Sequence, residues 1–297
     1  MMPAAHISGG VSVPPPRQDV EERLSQSTRP APDRVGVGQA YIGDRPIRGE
    51  LGHTISVVVP AKNEAENISW VLERIPSWVD EIVLVDGQSI DGTIEVARRA
   101  RPDIVVVEQE SRGKGLALQA GFAAATGDII VMLDADGSMH PAEIDRYVAL
   151  IASGFDFVKG SRFMAGAHST DITLLRRLGN NCLLSLANII YGTRFTDLCY
   201  GYCAFRREFL EKLALNASGF EIESQLIARA CMAELRITEV PSLESPRRHG
   251  QSNLRTFRDG RRVLWTLLRE AYGPRNLAVP QDAVVQVANQ ALDASAP

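Results

Sequence analysis

The sequence predicts an α/β fold, a Rossmann-like, mostly parallel sheet with helices on both faces. Three observations carry this. Short apolar runs alternate with helix-period segments through the middle of the chain. Apolar residues make up 45% and charged residues 23% of 297, an ordinary globular balance with enough chain for a substantial core. Polar side chains close one apolar run after another, as in open parallel sheets, whose ligands sit beyond the carboxyl ends of the strands.

The elements follow in order. Residues 1–50 are rich in Pro, Gly, Ser and Arg with no sustained period, and a disordered tail is expected there. "ISVVVP" (55–60) is an apolar strand ended by Pro. In the next segment Ile68, Val71, Leu72 and Ile75 share one helical face. "EIVLVD" (81–86) is a strand ending in an acid, and Asp91 is placed to cap the helix of "DGTIEVARRA". "DIVVVEQ" (103–109) is a third strand, and "GKGLALQAGFAAAT" a helix entered through two glycines. "DIIVMLDAD" (128–136) is a strand, followed by a helix with Pro141 in its first turn. "FDFVKGSRF" (155–163) is another strand. Beyond it come a helix over 173–192, a strand and helix in "GYCAFRREFLEKL", a helix over 220–234, the strand "RITEVPS" and a basic amphipathic helix over 257–272. The ordered domain is expected over 51–275, with a second flexible tail at 276–297.

Bulk properties exclude some classes. A net charge of −4 gives no support to nucleic-acid binding. The charge is uneven, however, since residues 244–275 hold eight Arg against three acids, a stretch suited to phosphates or an acidic membrane surface. The four cysteines form no C-x-x-C pair, which predicts buried free thiols in a reducing cytoplasm. No apolar h-region marks a signal peptide, and "CLLSLANIIY" (182–191) is too short to span a bilayer. Any membrane contact is therefore expected to be peripheral, at the inner face.

The sharpest chemical signal is "VMLDADGSMHP" (131–141). Two carboxylates leave a buried apolar run, and desolvating each without a partner costs several kcal/mol. Read alone, Asp134-x-Asp136 could be solvated turn acids capping the following helix. Emerging from "IIVML", the pair points to a hard cation, Mg²⁺ or Mn²⁺, carrying a diphosphate as the positive partner.

Taken together, "VVVPAKNEAENI", "VDGQSIDGT", "RGKGLALQAG", "MLDADGSMHP", "GSRF", "TDLCYGYCAFRREFL" and "SPRRHGQSNL" resemble, in this order, family 2 glycosyltransferases of the GT-A fold. Within that family the chain looks most like the branch of dolichol- and polyprenyl-phosphate mannose synthases, over roughly residues 54–272. The resemblance implies a nucleotide-sugar donor, a divalent metal and inversion at the anomeric carbon. It implies that Pro60, Lys62 and Glu64 hold base and ribose and that Asp86 hydrogen-bonds the base, although "DGQS" stands where the family usually has two acids. Asp134 and Asp136, with Ala135 between them, match the metal-binding motif, and His140 or Ser138 is left as a third ligand. Arg162 and Arg247 match residues that neutralise diphosphate or acceptor phosphate, and Asn253 stands where the family commonly has Lys.

Other residues keep two readings. Lys114 lines the sugar pocket in a backbone turn or simply enters a helix. Glu221 and Glu223 are acceptor-side acids or a solvated helix face, and His249 is structural or phosphate-adjacent. A lipid-phosphate acceptor needs no strong base, whereas a hydroxyl acceptor needs a carboxylate, for which Asp197 is the first candidate and Glu223 the next. The helices over 173–191 and 257–272 pair an apolar face with Arg, which suits a membrane surface or plain core packing. A nucleotidyltransferase is disfavoured because "PAKNEAEN" lacks a Gly-rich loop, while a non-catalytic nucleotide-sugar-binding module remains a rival. Sugar, base and oligomeric state leave no linear motif.

Overall fold

The computed structural model describes residues 52–110, 112–169, 173–251 and 255–273. Asn253 lies outside the described residues, as do both tails. The chain runs β1 (Ile55–Ala61), α1 (Ala65–Arg74), β2 (Glu81–Asp86), α2 (Thr93–Ala100), β3 (Val105–Glu108), α3 (Lys114–Ala124) and β4 (Ile129–Met132). A 3₁₀ turn (Pro141–Glu143) leads into α4 (Ile144–Ala152), then β5 (Phe157–Ser161), a two-residue β6 (His168–Ser169) and α5 (Leu174–Tyr191). The remainder is β7 (Cys203–Arg206), a short α6 (Leu210–Leu213), α7 (Ile222–Met232), β8 (Ile237–Pro241), β9 (Leu243–Glu244) and α8 (Thr256–Tyr272).

Seven strands form one sheet in the order β3-β2-β1-β4-β7-β5-β8, and β6 pairs with β9 apart from it. Every pairing in the large sheet is parallel except those of β7, which runs antiparallel to both β4 and β5. Strand order reverses between β1 and β4, because β2 and β3 build outward on one side and the chain then returns to the other. That reversal opens the crevice in which α/β sheets bind ligands. Cys203 pairs with Met132, so the loop before β7 arrives at the same carboxyl edge.

The strands alternate buried residues between two apolar layers. Val57, Val59, Leu84 and Val131 pack with Ile68 and Leu72 of α1, Ala97 of α2 and Tyr147 and Ile151 of α4. Val58, Val83, Val85 and Ile130 pack with Leu118 and Phe122 of α3, Leu226 of α7 and Leu267 of α8. Buried on both sides, these strands read as continuous Val/Ile runs. Helix α3 sits unusually close to the sheet, since a Cβ on Gly121 would stand 2.5 Å from Val58 Cγ1 and 2.7 Å from Val85 Cγ2.

Some expectations needed adjustment. The strand expected over 128–136 stops at Met132, and the two acids lie in the turn beyond it. Gly92, not Asp91, occupies the N-cap position of α2, yet Asp91 Oδ1 still accepts from the Thr93 amide at 3.1 Å. The four thiols are free, but of them Cys203 alone is buried, Cys199 and Cys231 are half-buried and Cys182 is exposed.

Candidate active site

A cavity of about 560 Å³ opens at the carboxyl edge of the sheet. Pro60, Lys62 and Glu64 from the end of β1 line it, as do Lys114 at the start of α3 and the Asp134-Ala135-Asp136 turn after β4. Arg162 after β5, Asn180 and Arg176 of α5, Glu223 of α7, Arg247 and Glu244 from the segment after β8, and Asp259 of α8 also line it. Nine of the sequence-predicted site positions, Lys114 among them, thus meet with Glu223 in one place although they span nearly 190 residues, whereas Asp86 is not part of the lining.

The cavity is organised by three basic side chains, each held between two acids. Lys114 Nζ lies 2.7 Å from Asp134 Oδ1 and 2.8 Å from Glu223 Oε1. Arg247 pairs with Glu64 and faces Asp136 Oδ2 at 3.5 Å. Arg162 grips Asp197 through Nε at 2.7 Å and Nη2 at 3.0 Å, and reaches Glu244 Oε1 at 3.2 Å. The positive partners that the buried-strand acids require are therefore already supplied by the chain itself. The sequence pointed to a metal carrying a diphosphate as that partner, and the basic side chains stand beside the same acids.

Burial and neighbouring charge set the protonation states. Burial would lower the Lys114 pKa, but Asp134 and Glu223 outweigh it and hold the ammonium above its ordinary value. Burial pushes the Asp134 carboxyl up to about 6, with Asp136 and Glu223 adding to the rise and Lys114 opposing it. Burial likewise raises Glu64 above the usual carboxylate range, against the lowering pull of Asn67 and Arg247. At Asp197 burial is overcome by Lys159 and Arg162, which hold the carboxylate below its usual value.

Two expected roles do not survive this geometry. Asp197 is fully buried, does not line the cavity and spends both oxygens on Arg162. It is a clamp for Arg162 and no general base. His140 stands apart from the cavity lining: its Nδ1 accepts the Ala142 amide at 3.2 Å, and its ring meets Trp70 edge-on at 5.6 Å. It caps the 3₁₀ turn and is not a third ligand. Ser138 does line the cavity, but its amide and hydroxyl donate to Asp136 Oδ1 at 2.9 and 2.7 Å. Among the described residues no group of three or more His, Cys, Asp or Glu is arranged to hold a metal.

Other placements are informative. Asp86 lies buried at the end of β2, its Oδ2 accepting from the Ser89 amide at 2.9 Å while Oδ1 has no hydrogen-bond partner. Glu221 is buried and accepts from the Gly219 amide, so it is no solvated face. His249 is exposed and contributes its carbonyl, which accepts from Arg247 Nε at 2.7 Å. Sequence reading missed Glu244 as the second acid on Arg162. It also missed Asn180, whose buried side chain receives the Cys199 amide at 3.2 Å and leaves Nδ2 without a partner. The one signal for Asn180 in the sequence was the Asn180-Asn181 pair directly before the apolar run "CLLSLANIIY".

The chain matches the glycosyl transferase family 2 profile over residues 56–214. The chain belongs to glycosyltransferase family 2. It is 32% identical over 223 residues to the glycosyltransferase AglJ of Haloferax volcanii, covering 73% of this chain and 72% of that one. It is 31% identical over 238 residues to the polyprenol monophosphomannose synthase of Mycolicibacterium smegmatis, covering 76% and 88%. Two further relatives are longer, and the chain spans 55% and 59% of their lengths. Its fold is that of glucosyl-3-phosphoglycerate synthase from Mycobacterium tuberculosis in complex with Mn²⁺, uridine diphosphate and glucosyl-3-phosphoglycerate. That similarity has a TM-score of 0.62 at 28% identity over 79% of this chain and 88% of the other. The sheet is thus the GT-A sheet of a glycosyltransferase.

Proposed function

We propose that this glycosyltransferase moves a hexose from a nucleotide sugar to a polyprenyl phosphate, in a divalent-metal-dependent reaction with inversion at the anomeric carbon. One observation carries the choice of acceptor: every carboxylate lining the cavity among the described residues is already paired. Glu64 and Asp136 face Arg247, Asp134 and Glu223 hold Lys114, Glu244 holds Arg162, and Asp259 accepts the Arg255 amide at 2.7 Å. None stands ready as a general base. A phosphate acceptor is ionised at neutral pH and needs none.

The residues fit the parts of such a reaction. Asp86 Oδ1, buried and without a partner, suits a base N–H. Two hard carboxylates on one turn suit Mg²⁺ or Mn²⁺, which typically completes its shell with substrate phosphates and water. Asp134 and Asp136 would hold that ion, which when bound supplies Lewis-acid stabilisation of the leaving diphosphate. Arg247 stands beside Asp136 to meet phosphate oxygens as charge grows on them. On the acceptor side Arg162, Arg176 and the free amide N–H of Asn180 face the cavity, a donor set for an incoming phosphate.

The lipid half of the acceptor has a matching surface. Leu174, Leu175, Leu178 and Ile189 of α5 and Phe257, Trp265 and Tyr272 of α8 are exposed. Arg176, Arg177, Arg258 and Arg261 lie on the same two helices. Such faces suit peripheral contact with an anionic bilayer. No helix among the described residues is long and apolar enough to cross a membrane. A second reading, transfer to a small soluble phosphorylated acceptor, is favoured by the glucosyl-3-phosphoglycerate bound in the structural neighbour.

The test is transfer of labelled sugar from GDP-mannose, UDP-glucose and UDP-N-acetylglucosamine with Mn²⁺, offered polyprenyl-phosphate vesicles or phosphoglycerate. Label in the lipid phase that disappears with EDTA and in Asp136→Ala supports the proposal. Label only in the aqueous acceptor moves the reaction to a soluble substrate. Donor binding without turnover on any acceptor would make the chain a binding module.

A further inference from the structure

We infer that Arg247 and a divalent cation compete for Asp136, so that metal and nucleoside diphosphate bind this chain cooperatively, each tightening the other. The inference rests on the proposed donor site and concerns how that site fills.

Asp136 has one oxygen to offer. Its Oδ1 is spent on the amide and hydroxyl of Ser138, at 2.9 and 2.7 Å. Its Oδ2 is the atom that Arg247 Nη1 faces at 3.5 Å. The other acid of the pair is engaged too, since Lys114 Nζ contacts Asp134 Oδ1 at 2.7 Å and Oδ2 at 2.9 Å. A cation arriving alone must share Asp136 Oδ2 with a guanidinium, at a site where like charges sit a few ångströms apart.

The segment that carries Arg247 is pinned in place. The Ser245 amide donates to Ser138 O at 2.9 Å and the Arg248 amide to Asp136 O at 3.2 Å. The Arg248 guanidinium lies 4.6 Å from the Trp70 ring centroid, and Asn67 Nδ2 donates to His249 O at 3.2 Å. Gly137 allows this approach: its φ is +76°, and a Cβ there would stand 2.7 Å from Arg248 Cδ. Arg247 is therefore a built-in counter-ion held against the acid turn by backbone bonds on both sides of it.

A nucleoside diphosphate changes the balance. Arg247 keeps its closer ion pair with Glu64 through Nη2, and phosphate oxygens give its Nη1 a stronger partner than the 3.5 Å contact to Asp136, which frees Oδ2 for the cation. Because linkage is reciprocal, the metal must raise nucleotide affinity by the factor by which nucleotide raises metal affinity.

The experiment is Mn²⁺ uptake followed by the loss of the free-ion signal in electron paramagnetic resonance. It uses the full chain, Arg247→Gln and Arg247→Ala, each alone and with UDP or GDP, with thermal unfolding as the fold control. Removing one positive charge in contact is expected to tighten binding of Mn²⁺ alone about tenfold. The nucleotide's effect on metal affinity should shrink by a similar factor. Arg247→Ala decides the case if the glutamine amide still occupies Asp136. Unchanged or weaker uptake of Mn²⁺ alone in both variants overturns the inference while leaving the donor site standing. No uptake by any form, even with nucleotide, overturns the metal-dependent donor reading as well.

Discussion

Asp197 offers a direct way to separate a scaffold carboxylate from a catalytic one. Asparagine at this position keeps the shape and removes the charge. Asp197 is fully buried and accepts from the Arg162 amide at 3.2 Å, Nε at 2.7 Å and Nη2 at 3.0 Å, and from the Cys199 amide at 3.3 Å. Without its charge, Arg162 retains Glu244 at 3.2 Å, but buried Lys159 loses an attractive neighbour. Breaking a buried ion pair from one side typically costs about 3–5 kcal/mol. Because Glu244 remains, the lower end, about 3 kcal/mol, is expected for Asp197→Asn. In a domain of this size that lowers Tm by roughly 6–12 °C. Urea unfolding measures the stability, and initial rates at a temperature well below the new Tm measure turnover per folded molecule. A scaffold role predicts a large stability loss with a fall of about tenfold or less in kcat, since a lost general base typically costs 10²–10⁴-fold. Unchanged stability with a drop of about a thousandfold would refute the scaffold reading and restore Asp197 as a base.

The remaining predictions are shorter. Lys114→Met leaves Asp134 and Glu223 facing each other without their shared cation, and a loss of about 3–5 kcal/mol is expected in urea unfolding. Gly121→Ala forces a methyl to 2.5 Å from Val58 Cγ1 and should cost about 1–3 kcal/mol by the same assay, with donor affinity little changed. The Asp134 pKa is raised by burial from 3.8 unfolded to about 6 folded, so its contribution is fully present below pH 3.8 and is lost as pH rises through 6. In EDTA, the stability of wild type relative to Asp134→Asn should therefore fall across that window, and a rise there would mean that Lys114 outweighs burial. Chelating the metal should abolish transfer in the wild type, with activity restored by Mn²⁺ or Mg²⁺ in a coupled assay.

Much of the framework was legible in local pattern. Residues 81–86 formed the expected strand to the residue, because a β-branched run between turn residues leaves little choice. The meeting of Lys62, Asp134 and Arg162 at one edge followed from strand ends in a parallel sheet. Pairings across long sequence distances were not legible. The linear text of "FTDLCYG" shows an acid in a loop, and nothing in it names Arg162, 35 residues earlier, as its partner. Glu244 joins the same guanidinium from 82 residues downstream. His140 was misread because a His two residues before a helix-starting amide serves equally as cap or ligand, and only the backbone direction decides. Lys114 was legible as a pocket-lining or helix-entry residue, but nothing local shows that it stands between acids 20 and 109 residues away.

The reversed strand β7 also bears on how the molecule assembles. Strands β3, β2, β1 and β4 come from one continuous stretch of chain, residues 55–132, in which β2 and β3 follow by short crossovers before β4 returns to pair with β1. The other half of the sheet, β5 and β8, is joined to them solely through Cys203–Arg206. Four residues thus act as a keystone, inserted after about 70 residues of intervening chain have been made. Until they arrive, β4 presents Ile129–Met132 as an unpaired apolar edge, the kind of template on which other chains stack. A chain truncated before residue 203 would keep the acid turn yet expose that edge, and is expected to aggregate rather than to fold as a half-enzyme.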